Sequence, residues 1–356
     1  MRARDILLAL LIIAAGLAIT AHHQGVFRDF AQAGRDVADT VAAVCGQFDG
    51  GEWRELERFS RQVPGAGATS LVIEDPNGQV TVIGQAQDDV KVEAVHYGMG
   101  TTDKAQRSRL ETSRADGEVM IKVIGPQGRV FRRGSRFDLR VTAPADLDLT
   151  VTVASGPVHV RDMTKDVQVT GASGGISITG AARVKVVSAS GDVELRAIRG
   201  PVEARVVSGS LTMEDVSGDV TASAISGDVR LRDLRAAVTA SSVSGSLNLE
   251  RFAGPQAALR STSGDLDVTF AAPLTGRLAA RTISGDVSVA VPKGSDCAVE
   301  LQSVSGDIGI QLPLRETVHE RGHVSGLLGA GRGRLELRSV SGSVEVKAAP
   351  EGAQVD

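Results

Sequence analysis

Six aspartates occupy matched positions in the second half of the chain. Asp192, Asp219, Asp228, Asp265, Asp286 and Asp307 each follow a Ser-Gly pair. Carboxylates stacked along one edge would offer the clustered oxygen ligands that Ca²⁺ takes, which makes these six the candidate metal ligands. The competing role is local, because an Asp beside a glycine can accept backbone N–H groups in a turn. Three equivalent positions carry Ser210, Ser246 and Ser343, and one carries Leu327. A turn tolerates those exchanges and a metal ladder does not. The turn reading is therefore favoured, and no metal or cofactor is expected.

Of the six histidines, only His319 and His323 have ligand-like spacing; His22, His23, His96 and His159 do not. The string His319-Glu320-Arg321-Gly322-His323 fits the letters H-E-x-x-H. A zinc hydrolase needs both imidazoles on one helical face. Gly322 interrupts any such helix and Ser325-Gly326 follows at once, so a surface loop is expected. No Gly-x-Ser-x-Gly stands in an α/β setting. The run Gly329-Ala-Gly-Arg-Gly333 lacks the Lys-Ser/Thr ending of a phosphate loop. Arg205, Arg230 and Arg232 could meet acidic glycans, but Glu203, Glu214 and Asp233 balance them. No catalytic residue emerges, and the chain reads as non-enzymatic.

The elements that position these residues form a repeat. Twelve Ser-Gly pairs begin at Ser155, with glycines at Gly156, Gly174, Gly191, Gly209, Gly218, Gly227, Gly245, Gly264, Gly285, Gly306, Gly326 and Gly342. These are the expected structural turns, since glycine takes backbone angles a side chain forbids. From Pro201 the chain runs in nine-residue units: PVEARVVSG, SLTMEDVSG, DVTASAISG, DVRLRDLRA, AVTASSVSG. Positions two and four alternate like a strand with one face buried. Position seven (Val207, Val216, Ile225, Leu234, Val243) breaks that phase, so a bend must intervene. Position four alternates small and large, and position six alternates too (Val206, Asp215, Ala224, Asp233, Ser242). The true period is thus eighteen, built of two unlike halves. Such a period of short strands predicts an all-β fold, a parallel β-solenoid of about ten coils. Its thin interior would take Val, Leu, Ile, Ala and a rare Met. An antiparallel meander would not need the same turn chemistry at every corner.

Residues 66–150 show short alternating strands, among them Ser70–Ile73, Val80–Ile83, Val90–Val95 and Val119–Ile124. They read as a cap or as the first coils, with Thr101 to Asp116 as a polar surface excursion. Residues 151–348 are the repeat region and 349–356 a disordered tail. At the other end, Arg2 and Arg4 precede the uncharged run Ile6 to Ala21. This predicts a signal peptide or signal-anchor over 1–25, oriented with its start inside. Residues 26–65 read as a helical stalk, with Phe27, Phe30, Val37, Val41 and Val44 at helical spacing and a short helix over Trp53 to Val63. Cys45 and Cys297 are the two cysteines, and nothing in their spacing favours or excludes pairing.

The composition agrees with a repeat of thin layers. Of 356 residues 41 are Gly, and the aromatics are one Trp, one Tyr and eight Phe. The net charge of −4 gives no bulk attraction for nucleic acid.

The recurring turns Ser190-Gly-Asp-Val193, Ser217-Gly-Asp-Val220, Ser226-Gly-Asp-Val229 and Ser284-Gly-Asp-Val287 carry a likeness. With the N-terminal apolar segment and the β-rich lead-in, residues 66–346 resemble the bacterial "putative adhesin" family of β-strand-repeat domains of unknown function. The resemblance implies a stacked β-repeat at the cell envelope and supplies no catalytic residues. The expected function is binding or scaffolding by a membrane-anchored domain exported to the periplasmic or extracellular side. Its partners would be the membrane through the N-terminal helix, an envelope glycan or protein, or another copy, and not nucleic acid. The alternatives are a polysaccharide-acting enzyme on a β-helix and an envelope-stress sensing module.

Overall fold

The computed structural model describes residues 53–99, 108–124 and 135–349. The apolar segment, the stalk helix over Val26 to Phe48, Cys45 and the tail beyond 349 lie outside the described residues. Every regular element among the described residues is a strand, and none is a helix. The chain divides into one unit ending at Asp192 and another beginning at Val193.

The second unit displays the repeat most plainly. Val202–Ser208 and Leu211–Val216 form one coil, Val220–Ser226 and Val229–Leu234 the next, and Val238–Ser244 with Leu247–Phe252 a third. Equivalent strands pair in parallel at a step of eighteen, with Val202 beside Val220 and Val220 beside Val238. The other half steps likewise, from Leu211 to Val229 to Leu247. Positions two and four point inward and are buried, as alternation predicts. The two sheets enclose a layer about 10 Å thick, and the small-large alternation of position four sets Ala204 on one sheet and Met213 on the other.

Position seven resolves into two cases. In the Ser-Gly half, Val207, Ile225 and Val243 remain half-exposed. In the other half, Val216 and Leu234 are fully buried. The difference lies in the preceding residue. Asp215 and Asp233 adopt φ of 54° and 57°, a left-handed conformation that Asp tolerates better than most residues. That corner swings the next side chain inward. The same column continues with Phe252 and Phe270, both buried with ring centroids 6.1 Å apart. The interior therefore accepts rings, contrary to the expectation of aliphatics alone.

The end of this unit departs from chain order. Gly333–Ser341 pairs in parallel with both Arg277–Ser284 and Cys297–Ser305. Val344–Ala348 likewise lies between Val287–Val291 and Ile308–Gln311. The last coil in sequence is thus inserted one layer inside. Arg315–Glu320 and His323–Leu328 form an antiparallel hairpin on the outermost coil. Open edges invite pairing with other chains and repeat ends need covering; this hairpin covers one of them.

The first unit uses the same device at its start. The coil Ser70–Asp75 with Val80–Gln85 pairs on one side with Asp148–Ser155 and Val158–Arg161. On the other side it pairs with Glu118–Ile124 and Ser135–Pro144. The stretch 66–150 therefore supplies both coils and cap to the sheets that the repeat continues. Thr101 to Asp116 is not a loop throughout: Arg109–Ala115 is a strand, turned at Asp116-Gly117 onto Glu118–Ile124.

Trp53–Val63 is a strand and not the short helix expected, so the helical stalk does not extend over these residues. Its apolar residues fall three apart because a bulge between Glu55 and Glu57 leaves Leu56 unpaired. Leu56 fills the space beside Gly98, where a Cβ would lie 2.5 Å from Leu56 Cδ1. Pairing along Val90–Met99 overrides the helical periodicity.

Candidate functional site

The turn aspartates do not form one ladder. Asp219 stands at the corner opposite that of Asp228, Asp265 and Asp286, because it opens a strand of the other sheet. Four of the six carboxylates accept a backbone N–H from the next coil: Ala237 N–H to Asp219 at 3.1 Å, Ser246 to Asp228 at 3.0 Å, Asp286 to Asp265 at 2.9 Å, and Ser343 to Asp286 at 2.7 Å. The acceptor role holds, but the bonds run between coils and not within one turn. Among the described residues no three His, Cys, Asp or Glu side chains converge on a cation position. Asp228→Ala should cost about 1 kcal/mol, read as a lower denaturation midpoint that is equal with calcium or with EDTA. A calcium-dependent midpoint lost in the variant would contradict this role.

Gly326 is not a coil corner. It lies inside His323–Leu328, in the hairpin. The string from His319 to His323 spans the hairpin's turn at Gly322, whose φ is 73°, so its two imidazoles share no helical face. Cys297 is a buried thiol opening a strand, and burial pushes its pKa up to about 11. His96 is buried, stacked on Phe137 at 4.3 Å and bonded to the Ser135 hydroxyl. The single Trp and Tyr flank one guanidinium, with Arg136 5.0 Å from the Trp53 ring and 4.7 Å from the Tyr97 ring. These contacts hold the cap of the first unit together. A depression of about 570 Å³ in that unit is lined by Arg58 and Arg140 against Glu93 and Asp138, so its charges balance.

The second unit carries the less balanced surface. Strand alternation sends residues i, i+2 and i+4 to the outer face, and parallel register stacks them about 4.8 Å apart. One outer column reads Gln256, Arg277, Arg334, Ala298. The middle column reads Ala258, Ala279, Glu336, Glu300. The third reads Arg260, Arg281, Arg338, Gln302. Five guanidiniums thus frame two carboxylates, a local net charge of +3.

Glu336 shows what the frame does to an anion. It is only 3 % exposed. One oxygen meets Arg281 at 2.5 Å and Arg338 at 3.1 Å, and the other faces Arg334 at 3.7 Å and Arg277 at 3.8 Å. Burial raises this carboxyl. The Arg281 hydrogen bond, with the charges of Arg281, Arg338 and Arg334, outweighs burial and holds it below its ordinary value. Glu300 is gripped by Arg334 at 2.9 Å and Arg338 at 3.1 Å. In the next two coils the middle position has no carboxylate. Ala258 and Ala279 leave a depression of about 240 Å³ bordered by Gln256, Arg260, Arg277 and Arg281. Arg260 makes no ion pair among the described residues.

Beside the third column, two residues further along each strand, lies an apolar ridge. Ile283, Val340 and Val304 stand in register with exposures of 45, 48 and 73 %.

The sequence offered a signal for this frame that pattern reading passed over. Arg205, Arg260, Arg281 and Arg338 each lie three residues before the Ser of a Ser-Gly pair. Arg230 and Arg232, by contrast, lie on the other sheet, and Arg232 is held by Glu250 at 2.7 Å. Arg205 is paired with Glu203 at 2.7 Å.

The family described as Toastrack DUF4097 matches residues 70–257 and again 217–347. No curated protein sequence matches the chain. Among solved structures, a "putative adhesin" from Parabacteroides distasonis is 13 % identical, with 82 % of this chain and 97 % of that chain covered and a TM-score of 0.44. A "putative adhesin" from Bacteroides fragilis has the same identity and coverage, with a TM-score of 0.37. A "putative lipid binding protein" from Parabacteroides distasonis is 12 % identical, covering 81 and 96 %, with a TM-score of 0.35. With two overlapping matches that together span residues 70–347, the chain belongs to the Toastrack DUF4097 family of β-repeat proteins of unknown function.

Proposed function

We propose that this chain is a non-enzymatic binding or scaffolding protein of the cell envelope. It is tethered by the segment Ile6 to Ala21, with its β-repeats on the outer side of the membrane. The observation that carries the binding role is the register of the outer face: Arg260, Arg281 and Arg338 stand in one column over three successive coils, so a partner with its own repeat meets the same group several times. Many weak contacts spaced this way add through effective concentration. The tether is supported by the two arginines ahead of an uncharged run.

The test uses the full chain. In cells it should fractionate with membranes, and protease added from outside should remove the repeats. Purified in detergent, it should be retained on immobilised envelope polymers, with EDTA making no difference and the polymer recovered uncut. A soluble cytoplasmic product, or shortened polymer, would contradict the proposal.

A further inference from the structure

We infer that the Ala258/Ala279 hollow and its arginines bind consecutive carboxylates of an acidic polysaccharide lying across the strands. This deepens the binding role proposed above and rests on it. The protein offers its own comparison. In the coil of Gly333–Ser341, the middle outer position is Glu336, and its carboxylate is held by arginines on both sides. In the coils of Arg277–Ser284 and Gln256–Ser263, Arg277, Arg281 and Arg260 persist, with Gln256 at the fourth flanking place, and the middle position is Ala279 and Ala258. Arg260, Arg277 and Arg281 line a space whose counterpart in the next coil a carboxylate occupies, and Arg277 and Arg281 reach that carboxylate from its near side.

Three features select the ligand. Arginine's planar donors match a carboxylate in two-point geometry. The hollow of about 240 Å³ is smaller than the ~300–1,000 Å³ of sites that enclose a small molecule. It suits one unit of a polymer, not a whole buried ligand. Finally, Arg260, Arg281 and Arg338 recur once per coil, at about 4.8 Å. That spacing is close to the rise per sugar of an extended pyranose chain, so one acid group per sugar keeps step with one arginine per coil. The apolar ridge of Ile283, Val340 and Val304 runs along the same direction and offers a surface for the C–H faces of the rings.

The test uses the full chain in detergent and polygalacturonate as the probe, with a neutral glucan of equal length as control. Titration calorimetry should detect polygalacturonate binding that weakens as salt is raised, and no binding of the neutral glucan. A279E and A258E each supply the missing carboxylate from within, as Glu336 does. Either should weaken binding by about tenfold or more, a 1.4 kcal/mol change per factor of ten, while the melting temperature stays near that of the wild type. Glu300 and Glu336 already stand side by side in the frame, so an added glutamate has a precedent. R260Q should weaken binding without filling the hollow. Binding unchanged in all three variants would overturn the inference, as would equal binding of the neutral glucan. Binding of anionic phospholipid vesicles with none of polygalacturonate would also overturn it. If envelope polymers are retained but A279E retains them equally, the inference falls and the broader binding role stands. If no envelope polymer is retained at all, both fall.

Discussion

Gly245→Ala is expected to lower the unfolding free energy by more than about 3 kcal/mol. Gly245 has φ of +124°, outside the range of L side chains. An added Cβ would lie 2.3 Å from the Gly227 carbonyl oxygen and 2.6 Å from its carbon. Those atoms are backbone of the neighbouring coil. Gly227 donates its N–H to Ser244 at 3.0 Å, and Gly245 donates its own to Ser263 at 3.1 Å. The first bond ties the two coils to each other and the second ties the Gly245 corner to the coil beyond, so neither can shift without straining a corner bond. Gly175 is the control. Its position has no unusual φ, and a Cβ there would meet only the Asp192 carbonyl oxygen, at 3.7 Å. Gly175→Ala should change stability by less than about 0.5 kcal/mol. Chemical denaturation of the three proteins reads the difference. A Gly245→Ala protein as stable as the control would contradict the stacking of glycine on glycine.

The second large effect is a pH dependence centred on Asp75. This carboxyl is 1 % exposed, and burial pushes its pKa up to about 7, with the Asn77 N–H pulling down and the Asp138 charge pushing up. One oxygen accepts the Asn77 N–H at 3.0 Å. The other is buried and has no partner. The folded pKa lies above the unfolded value of 3.8. The stability tied to the neutral group is therefore fully present below about pH 4 and is lost as pH rises through about 7. The loss amounts to as much as about 4 kcal/mol by pH 8. Asp75→Asn keeps a neutral acceptor for Asn77 and should remove that slope. Denaturation midpoints of wild type and variant measured from pH 4 to pH 8 decide the point. The variant should be the more stable at pH 8, and parallel curves would show that Asp75 is charged in the folded protein.

Local rules explain what was legible in the sequence. An eighteen-residue period, a glycine at most Ser-Gly corners and alternating Val and Leu follow from strand geometry and from φ, which each stretch of chain carries by itself. The features that escaped depend on which distant strands pair. Nothing in the repeat tells Gly333–Ser341 to enter between Arg277–Ser284 and Cys297–Ser305, since every coil presents the same edge. Trp53–Val63 misled by its spacing because one bulged residue mimics a helical step. The two fates of position seven were written in Asp215 and Asp233, but only as residues that tolerate a left-handed corner. Phe252 enters the core by the same kind of corner, at Arg251 with φ of 53°, whereas Phe270 reaches it by plain strand alternation. The arginine frame was hidden for a related reason. Arg260, Arg281 and Arg338 lie 21 and 57 positions apart in sequence, and only the inserted last coil sets all three in one row.

The central claim is that the outer columns hold a polymer along several coils without cutting it. The most direct measurement is the affinity of the full chain for envelope-derived acidic oligosaccharides of increasing length, with each oligosaccharide sized again after recovery. Affinity should rise as the oligosaccharide lengthens, level off once the frame is spanned, and leave every chain at its starting length. Affinity independent of length, or chains recovered shorter than they were added, would contradict the account.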